Sequence, residues 1–209
     1  MGGVTLLQRG NTPNNWSSTS DPTNAFDAGD GVRVGDHWYN TTSGNVFVCV
    51  TNTVGAAVWR HIPRIIAHSA VAVTAPADTS ENVLATITVP AGALGLDGSL
   101  IVTHFVTCTN NANAKTIRHR FSGAAGAVYL APSIASSAGQ AGRSRIANRG
   151  TASSQVGAVF DGFTATGPST SAADTTAATT AVITALKATA GDTITLESWM
   201  AEIVRPDIT

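Results

Sequence analysis

Charged side chains are scarce in this sequence: they make up 12% of its 209 residues, about half the usual share. The 12 Lys and Arg are offset by 13 Asp and Glu, which leaves a formal net charge of −1. Proteins that bind nucleic acid by neutralising phosphates carry clustered basic residues in excess, so the composition predicts no nucleic-acid partner. A hydrophobic share of 43% also excludes an acidic disordered chain.

Long apolar runs and cysteines are also few. No stretch reaches the roughly 18 apolar residues of a membrane-spanning helix, and Met1–Val4 has neither the basic nor the apolar region of a secretory signal. Cys49 and Cys108 are too few for a disulfide framework, and both lie in alternating hydrophobic runs, which favours buried free thiols. We therefore expect no membrane association and a protein that is made in the cytoplasm.

Small and β-branched residues are abundant instead. The chain holds 34 Ala, 29 Thr and 20 Gly, a composition that fits closely packed β-structure. Because charge-poor surfaces of this kind are often buried between subunits, the composition favours a structural protein over an enzyme.

Turn signals divide the chain into three regions. Residues 1–30 are rich in Asn, Pro, Ser and Asp, which interrupt helices and strands, and we predict an extended arm. Residues 31–63 are predicted to form a small β module around Trp38 and Trp59. Residues 64–209 contain about eight strand patterns separated by turns, which predicts an antiparallel β-sandwich of jelly-roll-like form. The predicted fold class is therefore all-β.

Within the third region, the clearest strand pattern is Ser99–Thr109, where nearly all residues from Leu100 to Cys108 favour β-structure. An Asn-rich turn separates it from Lys115–Phe121, where large side chains alternate with two arginines, and this arrangement predicts a hairpin. The stretches 135–153 and 165–180 are rich in small residues and are predicted to be loops.

Residue patterns typical of catalysis, metal binding and cofactor binding are absent from the sequence. There is no Gly-x-Ser-x-Gly elbow, and we expect Glu197 and Glu202 on opposite faces of one strand, where they cannot act as a pair. The five histidines have no metal-ligand spacing, although His104 and His119 lie on adjacent predicted strands. No glycine-rich phosphate loop occurs. The sequence predicts no enzyme activity, no metal and no cofactor.

Two groups of residues are candidates for binding. Exposed Trp and Tyr rings stack on sugars, so Trp16 and Tyr39 are candidate contacts for a glycan or a partner; membership of the small core is the alternative. Arginines of the predicted loop 135–153 are candidates for pairing with acids between subunits; a solvated loop is the alternative. The residues of this second group are Arg143, Arg145, Arg149, Asp161 and Asp174.

Residues 31–62 resemble a module of bacteriophage tail-fibre and other virion proteins. Its pattern is Gly-x-x-x-Gly and Trp, a Thr/Ser-Gly turn, a strand ending in Val-Cys, and a closing Ala-x-Trp. The matching segments are Gly31–Trp38, Thr41–Gly44, Val46–Val50 and Ala56–Trp59. This sequence departs from the pattern at His37-Trp38-Tyr39, where a small residue, Trp and Ile or Tyr are usual. The segment is also distantly similar to small chitin-binding modules.

Residues 80–205 resemble a second phage-associated module. Its recognisable pieces are Val89–Gly92, Gly95–Gly98, Asn111–Phe121, Asn148–Gly150, Gln155, Asp174-Thr175 and Gly191–Glu197.

The two resemblances together imply a virion surface protein, namely a fibre, a spike or a capsid-decorating protein, commonly trimeric. They imply that residues 1–63 attach to the particle and that the sandwich of residues 64–209 forms the trimer and projects. Other virion proteins are then partners, assembly takes place in the host cytoplasm, and the sandwich contacts host surface polysaccharide. A carbohydrate-binding module for host recognition is the alternative.

Overall fold

The computed structural model describes residues 12–159 and 168–209, and the chain divides into two compact units. Unit 1 contains the residues up to Ile62 together with Asp207–Thr209, whereas unit 2 contains Pro63–Pro206. The sequence assigns the last three residues to the sandwich, and the structure assigns them to unit 1.

The part of unit 1 that the structure describes contains four strands: β1 (Asn15–Ser18), β2 (His37–Asn40), β3 (Val46–Thr51) and β4 (Val58–His61). They form one sheet in the order β1-β2-β3-β4. β1 pairs with β2 in parallel, and the other neighbours are antiparallel. A short 3₁₀-helix, Ala28–Asp30, precedes β2 and is capped by Asp27.

The segment Gly31–Asp36, which carries the Gly-x-x-x-Gly pattern of the first resemblance, is a turn. Gly31 and Gly35 have φ of +85° and +94°, in the left-handed region that favours glycine and lies outside strand geometry. The Asp36 amide closes the turn by donating to the Arg33 carbonyl at 3.0 Å. The two glycines of the Gly-x-x-x-Gly pattern therefore shape the turn that leads into β2.

The core of unit 1 is aromatic. The Phe26 ring lies at its centre, and the ring centroids of Trp16, Trp38 and Trp59 lie 5.0, 4.8 and 6.1 Å from it, in that order. Trp59 and Phe47 are fully buried. Because each such ring buries roughly 150–250 Å², these side chains supply the apolar burial that a unit of this size needs.

Residues 12–30 belong to unit 1, although the sequence predicts an extended arm for 1–30. β1 is one strand of the sheet, and the buried carboxylate of Asp36 accepts hydrogen bonds from the Asn14 amide (2.8 Å) and the Trp16 indole (3.1 Å). Burial opposes the ionisation of Asp36, but these hydrogen bonds outweigh it and lower its pKa. The arm prediction rested on turn composition, which gives no information about such long-range bonds.

Residues near the end of the chain complete unit 1. The main chains of Ile208 and Trp59 exchange two hydrogen bonds of 3.0 and 2.8 Å, and Ile208 packs against the aromatic core. Arg60 forms an ion pair of 3.2 Å with Asp207.

Unit 2 is a sandwich of two antiparallel sheets. The five-stranded sheet has the order β10 (Ala127–Leu130), β9 (Lys115–Phe121), β15 (Thr179–Lys187) and β7 (Asn82–Val89), with β11 (Ser133–Ile134) beside β9. The seven-stranded sheet has the order β14 (Ser169–Ser171), β13 (Gln155–Val159), β12 (Gly139–Asn148), β8 (Ser99–Cys108), β16 (Ile194–Val204) and β5 (Arg64–Ser69), with β6 (Val73–Thr74) beside β16.

The core of unit 2 lies between these sheets. Alternate residues of each strand point inward, such as Leu100 and Val106 of β8 and Ile117 and Phe121 of β9, all of them fully buried. Each such side chain contributes about 1.5–3 kcal/mol through burial. The predicted class, an all-β chain with a small N-terminal β unit followed by an antiparallel β-sandwich, is confirmed.

Two stretches predicted to be loops contain strands. β12 lies within 135–153 and β14 within 165–180. The inward side chains of β12 include Ser144, Ile146 and Asn148, all buried. Because two of these three are polar, the alternation of apolar and polar residues that marks a strand is weak here.

β8 and β9 do not form the predicted hairpin. β8 pairs with β12 and β16 in the seven-stranded sheet, whereas β9 pairs with β15 in the five-stranded sheet. The connection between β8 and β9 therefore crosses the sandwich, and the inward faces of the two strands lie opposite each other.

Candidate functional site

Residues from two segments of the second resemblance, Asn111–Phe121 and Gly191–Glu197, lie in one polar network of unit 2. Lys115 is fully buried, and its Nζ donates to Asn111 Oδ1 (2.8 Å) and to the Asn113 carbonyl (2.6 Å). Asn111 donates to Asp192 Oδ1 at 2.7 Å. Lys187, also buried, donates to the Asp192 carbonyl at 2.9 Å. These bonds fasten the β8–β9 and β15–β16 connections to each other.

A second network joins three further loops. The buried Gln155 donates from Nε2 to Asn148 Oδ1 and accepts at Oε1 from the Ala173 amide, both at 2.9 Å. Asn148 donates to Thr175 Oγ1 (2.8 Å) and to the Gly95 carbonyl (2.6 Å). Because buried amides must be hydrogen-bonded, these side chains hold the loops in one arrangement.

Glu81 is clasped by two arginines of β9. Arg120 donates to both of its carboxylate oxygens, at 2.7 and 2.8 Å, and Arg118 donates to Oε2 at 2.5 Å. The Thr184 hydroxyl donates to the same carboxylate. The hydrogen bond from Arg120, helped by Thr184 and the nearby charge of Arg118, lowers the pKa of Glu81 to about 2. A carboxylate bound in this way is ionised at neutral pH and links the start of β7 to β9 and β15.

His104 of β8 and His119 of β9 meet in the centre of the sandwich. His104 Nδ1 lies 2.7 Å from His119 Nε2, and His119 Nδ1 lies 2.7 Å from Ser144 Oγ. Burial lowers the pKa of His104 to about 4. Burial and the neighbouring His104 hold the pKa of His119 well below its usual value. The pair is therefore neutral at physiological pH and links the two sheets.

An apolar groove of about 480 Å³ lies across β8, β16 and β5. Its open wall is formed by Ile65 and Phe105, whose side chains are 53% and 46% exposed. Thr103, Met200 and His68 are among the other residues of its lining. Because Leu100, Val106 and Ala201 point into the sandwich, alternation places the groove residues on the outer face of the seven-stranded sheet. This groove is the candidate functional site.

Charged residues border this outer face. Arg145 of β12 pairs in register with Ile101 of β8, which pairs in turn with Glu202 of β16. The same face carries Glu197, which accepts a hydrogen bond from Thr107. The expectation that Glu197 and Glu202 face opposite sides is wrong, because a bulge between Leu196 and Ser198 shifts the alternation by one residue.

Trp16 and Tyr39 do not form a common surface. β1 pairs with β2 so that Trp16 lies beside Trp38, on the core side of the sheet. Tyr39 follows Trp38 and therefore points to the other side, where it is 40% exposed beside His37, with ring centroids 6.3 Å apart. Of the two candidates, only Tyr39 presents its ring to solvent.

The charged candidates also occupy separate places. Arg145 donates to Ser99 Oγ at 2.9 Å, and Asp174 accepts from the Thr176 amide (2.9 Å) and hydroxyl (2.6 Å) within its own turn. Arg143 lies on the outer face of β12 and Arg149 in the following turn. Asp161 lies outside the described residues.

The described parts of the chain contain no group of residues arranged for metal binding or for thiol chemistry. Within residues 12–159 and 168–209, no group of three or more His, Cys, Asp and Glu residues is placed to hold a metal ion. No helix of these ranges has the length and apolar character to cross a membrane. Cys49 and Cys108 are free, the first buried and the second partly buried.

This groove was not predicted from the sequence, although the sequence of β8 contains a signal for it. The run Leu100–Val106 carries apolar residues on both faces, with Leu100, Val102 and Val106 on one and Ile101 and Phe105 on the other. A strand that faces water on one side alternates between apolar and polar residues, whereas a strand covered on both sides does not. The exposed Phe105 therefore marks a face that the single chain leaves uncovered.

Comparisons with known proteins supply no family for this chain. No family model matches the sequence, and no curated protein is significantly similar to it. Among solved structures, the chain matches the metal-free lectin I-B4 of Griffonia simplicifolia with 12% sequence identity, over 81% of this chain and 91% of the lectin, at a TM-score of 0.25. A TM-score of this size establishes neither a common fold nor a common function.

Proposed function

We propose that this chain is a structural protein of a bacteriophage virion surface: a fibre, a spike or a capsid-decorating protein. One observation carries the proposal beyond the sequence resemblance. The residues that carry the second resemblance, such as Asn111, Lys115, Asn148 and Gln155, use their side chains to fasten loops of the sandwich. A recurrent module whose polar residues hold its loops is built as a rigid scaffold.

The same proposal assigns no catalysis to the chain. In the strongest polar clusters of unit 2, Glu81 is bound by Arg118 and Arg120, and the two ring nitrogens of His119 are hydrogen-bonded to His104 and Ser144. Their protonation states, an ionised Glu81 and a neutral histidine pair, are fixed around pH 7, where a general acid or base must exchange protons.

A homo-oligomer, a trimer in the first instance, completes the proposal. The low charge content and the apolar outer face of the seven-stranded sheet both support subunit contacts. The remaining partners are other proteins of the particle, with assembly in the host cytoplasm and final location on the virion surface.

Particle labelling tests this proposal. Antibodies raised against the purified chain are applied to particles from a host that produces it, and gold label is located by electron microscopy. Label at regular positions on the particle surface is expected. Unlabelled particles, with the chain recovered only from the particle-free fraction, would contradict a virion role.

Carbohydrate binding in host recognition is the second candidate, favoured by the exposed ring of Tyr39. A glycan array probed with the labelled protein tests it. Binding that is lost in Tyr39→Ala and kept in Val54→Ala, a control at a side chain 71% exposed, would support it. An array without signal would remove this candidate and leave the structural role untouched.

A further inference from the structure

The outer face of the seven-stranded sheet has an apolar middle. Phe105 and Ile65 are half exposed, and Met200 lies between their strands. Ile101, further along the same face of β8, is buried at 7% exposed. Exposed apolar side chains grouped on one face of a soluble domain mark an interaction site, and apolar residues on both faces of β8 are typical of a strand that is covered on both faces.

Two residues of opposite charge, Arg145 and Glu202, lie beside this apolar surface in the same register row of the sheet. In register, Arg145 stands on one side of Ile101 and Glu202 on the other. Glu202 is partly buried, and no hydrogen bond or ion pair joins its carboxylate to another described residue. A half-buried carboxylate gains from a cationic partner, and Arg145, on β12, lies beyond the intervening strand β8.

The face has the size of a protein–protein interface. Its strands β12, β8, β16 and β5 span about 19 Å at roughly 4.8 Å per strand. β8, with 10 residues, is about 34 Å long. The resulting area is on the order of 600 Å² for a flat sheet, without the added surface of its side chains. This approaches the roughly 800 Å² that each partner buries in a standard interface.

We propose that a second copy of this chain covers this face, with the same face turned towards the first copy about a symmetry axis that runs parallel to β8. The proposal rests on the oligomer proposed above and names the surface that forms it. Phe105 lies near the axis, and Arg145 of each copy pairs with Glu202 of the next.

Symmetry explains why the register matters. Rotation about an axis parallel to the strands does not change the position of any residue along that axis. Residues of one register row, such as Arg145 and Glu202, are therefore brought together between copies without any shift along the strands. A twofold and a threefold axis both meet this condition, and the measured mass distinguishes them.

The first test is the mass of the purified full chain by light scattering on a sizing column, over a hundredfold range of concentration. The wild type is expected at two or three times the chain mass of 21.2 kDa. Phe105→Lys is expected at the monomer mass, because it places a charge near the axis. Val83→Lys is the matched control, since Val83 is 47% exposed on the other sheet and its variant is expected to remain assembled.

Charge reversal provides the second test. Arg145→Glu and Glu202→Arg are each expected to weaken assembly by roughly tenfold or more, because each places like charges together between copies. The double variant restores opposite charges and is expected to recover the wild-type mass. Circular dichroism of each variant establishes that the sandwich is folded.

The outcomes separate the two levels of the proposal. A wild type that is monomeric at every concentration overturns both the oligomer and the surface. A wild-type oligomer that survives Phe105→Lys, or a double variant that fails to recover assembly while the single variants lose it, overturns this surface and leaves the oligomer to be formed elsewhere.

Discussion

The buried histidine pair makes the sandwich sensitive to mild acid. His104 and His119 are neutral in the folded protein because burial opposes their charged forms. In the unfolded chain both rings titrate near pH 6.5. When the pH falls below that value, the unfolded state binds protons that the folded state does not, and the free energy of unfolding decreases.

The magnitude follows from the pKa of His104, which is about 4 in the folded protein. From pH 7 to pH 5, this group alone lowers the free energy of unfolding by about 2 kcal/mol. That loss corresponds to a decrease in Tm of about 4–8 °C for a unit of this size. His119 acts in the same direction.

Thermal unfolding by calorimetry, at half-unit steps between pH 7 and pH 5, measures this effect. In His104→Gln the dependence on pH is expected to be weaker than in the wild type, because one titrating ring is removed. His37→Gln, at a partly exposed ring of unit 1, is the control and is expected to leave the dependence unchanged.

The range of pH keeps Glu81 out of the measurement. Glu81 has a pKa of about 2 when folded and an ordinary value of about 4.3, so its contribution to stability is lost only below that ordinary value. A wild-type Tm that stays constant from pH 7 to pH 5 would refute the assignment of a neutral histidine pair. An unchanged pH dependence in His104→Gln would refute the role of His104 in it.

Three further predictions concern stability. Glu81→Gln is expected to lower the free energy of unfolding at pH 7 by roughly 2 kcal/mol. The difference in this free energy between the variant and the wild type is expected to shrink between pH 4.3 and pH 2. Denaturant unfolding at both ends of that pH range measures the difference. Gly142→Ala is expected to cost about 1–3 kcal/mol, because its Cβ would lie 2.4 Å from His104 Cε1; unchanged stability would contradict the position of that ring. Trp16→Ala is expected to lower the free energy of unfolding of unit 1 by about 2 kcal/mol. Tyr39→Ala is expected to change the same free energy by less than about 0.5 kcal/mol. Trp fluorescence during denaturation measures both variants.

Local patterns predicted much of the fold. In β9, large inward side chains alternate with Arg118 and Arg120, and the structure has both the predicted bounds and the predicted faces. This strand was found because its alternation between large apolar and polar residues is strong.

Pairings over long distances along the chain were not predictable in the same way. The crossing between β8 and β9 depends on which sheet buries each strand best, and an Asn-rich turn is compatible with either outcome. The bulge that turns Glu197 to the outer face depends on its partner strand. Glu81 lies 37 residues before Arg118, so no local motif announces their ion pair.

The candidate site was only partly accessible to sequence reasoning. Arg145 was a candidate for pairing between subunits, but its proposed partner was an acid of a neighbouring loop rather than Glu202. The choice between the two depends on the register of β12 against β8 and of β8 against β16, which is a property of the assembled sheet.

The bridge between Trp59 and Ile208 sets an order for folding during synthesis. The residues that begin unit 1 leave the ribosome first, all of unit 2 follows, and only then does the segment emerge that closes unit 1. Unit 2 can fold on emergence, whereas the growing chain carries an unfinished unit 1 whose aromatic residues lack the covering segment around Ile208. A substitution that slows the folding of the sandwich would therefore reduce the yield of native unit 1 without altering any of its residues.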